Sequence, residues 1–548
     1  MPAAHLVTDA LSRAGVKTVF SLSGNQIMPI YDACIDAGIR IVHVRHEAAA
    51  VYMADAWAQL TGEIGVALLT AAPGITNGLS PLYSARMAES PVLVLSGDSP
   101  LSADGMGAFQ ELAQTDITRP LVKHAVRCTR AGAMGSDVAQ AITVALSGRP
   151  GPVHVALPFD LLQQEVAETD AIRPHVPRRQ RTELPADRAQ AIVRRLAAAS
   201  RPLVLVGPMQ NASRAGDRLR VARQALQAPV VPMESPRGLR DPSLGAFAGV
   251  LAEADLVVLL GKPLDFTVAH GRAPSFAPGA DVIVVDPDEA LVRRAIQVLG
   301  PRLHAHAAAD ADAALEALCE AAGAVDSRET WMARVDAAIA TRVLASTPND
   351  KDTAGKPRSQ AVCEAVQEFL RQATDPILIC DGGEFGQWAQ AYCTAPTRVV
   401  NGVSGAIGGS LCYAVAASLA RPDATVVALL GDGTAGFHLS EYETAAREGA
   451  RFVAVVGNDA RWNAEHVIQL REYGAHRLYG CALGTSVRYD AAAQALGGHG
   501  AHVASTAALA AALAEALATG LPACVNVEID GQAAPVFASG GILGQGPH

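Results

Sequence analysis

Short runs of Val, Ile and Leu alternate along the chain with longer Ala-rich stretches whose apolar positions recur at helical spacing. In the first third these runs fall at 18–22, 41–44, 65–69, 92–95 and 153–156, with helical patterns over 46–60 and 80–89 between them. A second series lies at 203–206, 230–233, 256–260 and 282–285, and a third at 377–380, 399–400, 425–430, 452–456 and 523–529. Continuous apolar strands separated by helices predict parallel sheets covered on both faces. Two polar, Pro-containing stretches break the alternation: 163–185, with Arg178-Arg179-Gln180-Arg181, and 346–358, with Thr347-Pro348-Asn349-Asp350. Read as linkers, they divide the chain into three doubly wound α/β domains, 1–165, 183–335 and 356–548. Open sheets of this kind hold ligands beyond the carboxyl ends of their strands, so that is where chemistry is expected.

Composition narrows the classes. The 548 residues are 50% hydrophobic and 18% charged, which excludes a chain disordered by composition. The net charge of -10 has the wrong sign for a nucleic-acid binder, yet leaves room for anionic small molecules held by backbone N–H groups and metal. The nine cysteines are scattered singly with no CxxC pair, as expected for reduced thiols of a cytoplasmic protein. Residues 1–11 lack a basic stretch leading into an apolar one, so no secretory signal is expected. The apolar runs fall far short of the ~20 residues a membrane span needs, so no membrane partner is expected either.

Three strand ends carry candidate chemistry. The run 425–430 enters Gly431-Asp432-Gly433-Thr434, where glycines let a backbone approach phosphate and the Asp can bind a hard cation. The run 452–456 ends at Gly457-Asn458-Asp459, placing Asp459 27 residues after Asp432, enough for one helix and a return to the adjacent strand. Two such oxygen ligands can share one Mg²⁺, with phosphate oxygens and water completing an octahedron at about 2.1 Å. In the first third, Arg45-His46-Glu47-Ala48-Ala49-Ala50 follows the run 41–44 and opens a helix. Glu47, ringed by Ala and Val, is a candidate buried acid. The plainer reading is a carboxylate complementing the helix dipole.

The paired strand-end motif resembles that of the thiamine-diphosphate-dependent enzymes of the acetolactate synthase, benzaldehyde lyase and 2-hydroxyacyl-CoA lyase group. Further segments are similar in family order: the setting of Glu47, then Thr70-Ala71-Ala72-Pro73-Gly74-Ile75-Thr76-Asn77, Ala108-Phe109-Gln110-Glu111 and Gly148-Arg149-Pro150-Gly151-Pro152-Val153. The resemblance implies a pyrimidine-binding, a central and a diphosphate-binding domain. It implies Mg²⁺ held by Asp432, Asp459 and the backbone carbonyl of Arg461, with Gly431, Gly433 and Thr434 at the diphosphate. Asp459 departs from the Asn usual there and adds a negative charge.

The resemblance gives Glu47 the role of protonating the aminopyrimidine ring. Pro73, Asn77, Gly383 and Glu384 join the implied cofactor-binding set, with Gly405 offering a carbonyl and Ile407 as the apolar wedge beneath the bent cofactor. Gln110 is the implied partner of the substrate carbonyl. Gln26 stands where benzaldehyde lyase has His, which removes a titratable group. Glu465, 33 residues after Asp432, falls at the spacing of the pocket acid of pyruvate decarboxylases; desolvated there it would have a raised pKa, and the plainer reading is a solvated helix Glu.

The implied reaction is C–C lyase or carboligase chemistry on 2-keto acids or 2-hydroxy ketones, through an enamine. A flavin-containing acetolactate synthase or an acyl-CoA lyase is the alternative. FAD is not favoured, because the central segment 203–208 has no GxGxxG and 261–266 is not Arg-rich; residues 530–548 lack the Lys and Arg expected of a CoA-binding tail. The resemblance also implies a site shared between subunits, hence a homodimer as the smallest active unit and a homotetramer as a common assembly.

Overall fold

The computed structural model describes residues 1–323, 326–344, 355–401 and 403–537. Three parallel sheets build it. The first has the order β2-β1-β3-β4-β6-β5, from β1 (Thr18–Ser21), β2 (Arg40–His43), β3 (Gly65–Leu69), β4 (Val92–Asp98), β5 (His124–Arg127) and β6 (Val153–Pro158). The central sheet is β11-β10-β9-β7-β8, from β7 (Pro202–Val206), β8 (Val230–Pro232), β9 (Leu256–Leu260), β10 (Asp281–Val285) and β11 (Leu303–Ala307). The third is β13-β12-β14-β15-β17-β16, from β12 (Pro376–Cys380), β13 (Thr397–Val400), β14 (Thr425–Gly431), β15 (Phe452–Asn458), β16 (His499–Val503) and β17 (Pro522–Glu528).

Three strands escape the hydrophobic pattern: β5, β11 and β16. Each is the last strand at one edge of its sheet. Their sequences, His-Ala-Val-Arg, Leu-His-Ala-His-Ala and His-Gly-Ala-His-Val, are largely half-buried or exposed. An edge strand covered on one side needs no continuous apolar run. The strands that were legible, such as β3, β7 and β9, are buried at every position.

The helices Glu47–Thr61 and Ser410–Ala420 join the outer domains face to face. Both are apolar nearly all round, as a helix buried on all sides must be. The Tyr413 hydroxyl donates to Asp55, which also accepts from Gln59 at 2.9 Å, and the Tyr52 and Tyr413 rings meet edge-on at 5.8 Å. At the rim, the Arg45 amide donates to the buried Glu441 at 3.1 Å.

The polar stretch 163–185 is irregular beyond residue 163 and lies against the central domain, where Arg179 pairs with Asp310 at 3.0 Å and Asp312 at 2.6 Å. Most of the second polar stretch, 346–354, lies outside the described residues. No helix among the described residues is long and apolar enough to cross a membrane.

Candidate active site

The chain leaves β2 and turns into the helix that Glu47 opens. His46 Nδ1 caps that helix by accepting from the Ala48 amide at 3.1 Å. A first-turn carboxylate sits at the positive end of the helix dipole, but Glu47 is only 7% exposed, which a surface dipole partner would not be. Its Oε2 accepts from Asn77 Nδ2 at 2.9 Å. Gly74 faces the other oxygen: a Cβ there would lie 3.8 Å from Oε1 and 2.8 Å from the Thr70 methyl. Pro73 starts the short helix that carries Gly74 and Asn77, and the residue before it, Ala72, is held at φ +44°.

Beside Glu47 runs a chain of amides. Thr70 Oγ1 donates to Gln26 Oε1 at 2.7 Å, and Gln26 Nε2 donates to Gln110 Oε1 at 2.6 Å. Two glycines make the space: side chains at Gly24 or Gly97 would run into Thr70 at 2.3 Å or Gln26 at 2.7 Å. Gln110 itself sits at φ +59°, a conformation costing a non-glycine residue of order 1–3 kcal/mol. Strain of this kind concentrates where a side chain must face a ligand. Gln26 and Gln110 are 84 residues apart, and only the fold brings them together.

In the third domain, β14 delivers Asp432 and β15 delivers Asp459 from adjacent, paired strands. The Gly433 amide donates to Asp432 Oδ1 at 2.9 Å and Thr434 Oγ1 to the Gly431 carbonyl at 2.9 Å. Ala460, at φ +58°, turns the chain so that the Ala460 and Arg461 amides also support Asp432. That turn is tied down by Trp462 N to Cys481 O at 2.8 Å and Leu483 N to Ala460 O at 2.7 Å. The Trp462 ring covers Gly433, where a Cβ would be 2.6 Å away.

Burial pushes Asp432 up to about 6. It pushes Asp459 up to about 7, with the charge of Asp432 adding to the effect. Two buried carboxylates that resist ionising side by side form a donor set that a divalent cation would relieve. Among the described residues no group of three or more His, Cys, Asp or Glu gathers as a metal cage, at this pair or away from it. Two carboxylates and a nearby carbonyl suit Mg²⁺, which takes phosphate and water as its remaining ligands, better than Zn²⁺.

The wedge segment is organised by a residue that the sequence reading passed over. Asp381, fully buried at the end of β12, accepts from the amides of Gly382 at 2.7 Å, Gly408 at 2.9 Å and Ser410 at 3.3 Å. It thereby ties the end of β12 to the segment bearing Gly405 and Ile407. Ile407 in turn packs on Gly382, where a Cβ would meet it at 2.6 Å. The signal for Asp381 was an acid directly after a buried strand, in Cys380-Asp381-Gly382-Gly383.

Glu465 follows the plainer of its two readings. It is exposed in the first turn of the helix Asn463–Tyr473, so this chain does not desolvate it. The buried carboxyl in its neighbourhood is Glu384, in the first turn of the helix Gly383–Tyr392. Burial raises its pKa, and Glu384 Oε2 has no hydrogen-bond partner.

Among the described residues, no hydrogen bond, ion pair or ring contact joins Glu47, Gln26 or Gln110 to the Asp432/Asp459 pair. The acid with its amides and the carboxylate pair are thus two separate clusters. Family models match across both and between them: the thiamine pyrophosphate enzyme N-terminal TPP binding domain at residues 1–117, the central domain at 189–318 and the C-terminal TPP binding domain at 381–527. The chain belongs to the thiamine pyrophosphate enzyme family.

Relatives of this thiamine-diphosphate enzyme carry two kinds of name. A "probable acetolactate synthase" of Mycobacterium bovis is 32% identical over 97% of this chain and 96% of its own length. The "2-hydroxyacyl-CoA lyase 2" of Homo sapiens is 31% identical over 90% of this chain and 84% of its own. That of Danio rerio is 30% identical over 90% and 85%.

Proposed function

We propose that the chain is a thiamine-diphosphate- and Mg²⁺-dependent C–C lyase or carboligase acting on 2-keto acids or 2-hydroxy ketones. The observation that carries this reading is the division of labour between the half-sites: a buried acid beside an amide chain in one, a buried carboxylate pair at a glycine-lined strand end in the other. Thiamine diphosphate bound between them would supply the nucleophilic carbon and the electron sink. Asp432, Asp459 and the Arg461 carbonyl would hold Mg²⁺, with Gly431, Gly433 and Thr434 at the diphosphate. Gly405 and Ile407 would support the aminopyrimidine and the bend. Glu47 would hold and pass a proton at the pyrimidine ring nitrogen, oriented by Asn77. The Gln110 amide, fixed by Gln26, would bind the substrate carbonyl oxygen.

The half-sites complement each other in a homodimer. Met106 and Phe109 beside Gln110 are 78% and 75% exposed, and Phe437 after Thr434 is 52% exposed. Large apolar side chains around half a site are what a second copy would cover. Pairing of such dimers into a homotetramer belongs to the same reading.

Acetolactate synthase is the second reading, favoured by the names of relatives at similar identity. A flavin fits the central domain poorly. The crevice at the carboxyl ends of β7, β9 and β10 leaves only about 20 Å³ free. Arg149 crosses it, bonded to Glu89, Asp286 and the Gly261 carbonyl, and a dinucleotide's diphosphate would face those carboxylates. Product analysis with pyruvate, benzoylformate, benzoin and 2-hydroxyacyl-CoA, together with the colour of the purified protein, tests the choice. A colourless enzyme that cleaves or joins small carbonyl compounds supports the lyase reading. A yellow one making acetolactate from pyruvate replaces it.

A further inference from the structure

A cleft of about 200 Å³ opens between the central domain and the third domain. One wall is Gly383, Gly405 and Ile407, the candidate cofactor residues; the other is the loop Ser235-Pro236-Arg237 that follows β8. That loop is rigidly held. Glu234 is pinned by Arg398 at 2.5 Å and by Asn211 at 2.5 Å. The Arg237 amide donates to Ser235 Oγ at 3.2 Å. Gly238 is pressed so closely on Thr267 that a Cβ would lie 2.1 Å from its carbonyl oxygen.

The charge that this loop presents is left unspent. Among the described residues the Arg237 guanidinium makes no hydrogen bond and no ion pair, although it lines the cleft. Glu384, the acid nearest to it in effect, feels its charge without touching it and keeps a buried, unpartnered oxygen. Asn401, fully buried in the same cleft, spends its Nδ2 on Asp381 at 3.3 Å, so the charged donors left over are those of Arg237. Gln387 and Gln390 add amides from the helix that Glu384 begins. A guanidinium on a fixed loop, the one charged group among the residues lining this cleft, is a site for a small carboxylate: the fork of donors matches two oxygens. Partner groups already positioned lose little entropy on binding.

We propose that this cleft is the recognition subsite for the carboxylate of a 2-oxo acid, and that Arg237 determines specificity for it. The proposal rests on the thiamine-diphosphate reading above, and names the substrate class of that same site. It gives the central domain a part in substrate choice that requires no nucleotide.

The test uses the full-length enzyme loaded with thiamine diphosphate and Mg²⁺, as wild type, Arg237→Gln and Arg237→Lys. Calorimetry measures binding of benzoylformate and pyruvate, of the neutral benzaldehyde, and of a 2-hydroxyacyl-CoA. Quenching of tryptophan fluorescence measures cofactor affinity separately. The expected result is tenfold or greater weakening of 2-oxo acid binding in Arg237→Gln, partial recovery in Arg237→Lys, and changes under about twofold for benzaldehyde and cofactor. Equal affinities for the 2-oxo acids in wild type and Arg237→Gln would overturn the proposal. So would parallel losses for acid and aldehyde, or a wild type that binds only the CoA thioester. Failure of the wild type to bind thiamine diphosphate would instead overturn the functional reading beneath it.

Discussion

The first and third sheets share one strand order, yet their strand ends do different work. In each, the second strand in sequence lies at one edge and the last two are exchanged. In each, the helix after that second strand is apolar all round, and these two helices, Glu47–Thr61 and Ser410–Ala420, pack on one another. Beyond β2 the first sheet offers a buried acid, Glu47, beside neutral amides, a setting for proton transfer and carbonyl binding. The third offers paired carboxylates and close-packed glycines, a setting for a cation and a diphosphate. The scaffold is common property, and the residues in the turns decide the chemistry.

The comparison is broken most sharply at the two acids. Glu47→Gln keeps the Asn77 contact and removes the proton. Turnover and C2 proton exchange of bound thiamine diphosphate, followed by NMR, are expected to fall by about 10²–10⁴-fold, with the cofactor still bound. Near-normal exchange would take Glu47 out of the chemistry. On the other side, chelation with EDTA is expected to abolish activity and Mg²⁺ to restore it. Asp432→Asn should weaken cofactor binding by about 10–100-fold or more, the scale on which even a supporting group affects a metal site. Asp459→Asn keeps an oxygen ligand and removes one of two repelling charges, so its effect on cofactor binding is expected to be the smaller. A larger loss at Asp459 would show that its charge is needed.

Smaller effects test the joint between the domains. Tyr413→Phe removes a hydroxyl from the buried Asp55 and is expected to cost about 1–3 kcal/mol in thermal or urea unfolding. An unchanged midpoint would mean that Ser90 and Gln59 satisfy this carboxylate without it. Glu441 is raised to about 7, chiefly by burial, against the hydrogen bonds from Thr444 and the Arg45 amide. A carboxyl raised in the folded state contributes stability at low pH that is lost as pH rises through about 7. Glu441→Gln should therefore gain stability relative to wild type between pH 5 and 8, read as the difference in Tm across that range. A difference that stays flat with pH would contradict the assignment.

Much of the fold was written in the chain as apolar runs, because a strand covered on both faces must be apolar throughout. β5, β11 and β16 were hidden because an edge position relaxes that demand. Asp432 and Asp459 were legible because each follows directly on a buried strand, and Glu47 because it opens a helix among Ala and Val. What linear reading could not supply was contact across distance. The Thr70–Gln26–Gln110 chain spans three separate loops, Asp381 gathers amides from residues 382 to 410, and Arg237 matters only because another domain closes over it. Glu465 stays open between two readings in the sequence for the same reason: spacing from Asp432 places it on a helix, but does not say which side of that helix it faces.

The central claim is that one working site takes its acid from one copy of the chain and its carboxylate pair from another. Mixed assembly tests it directly. Glu47→Gln and Asp432→Asn are each expected to be inactive alone. Unfolded together and reassembled in equal amounts, half the dimers would combine the two variants, and each of those would hold one intact site. Activity is then expected to return to about a quarter of wild type. If the mixture stays as inactive as its parents while forming mixed dimers, acid and carboxylates serve within a single chain, and the shared site is contradicted.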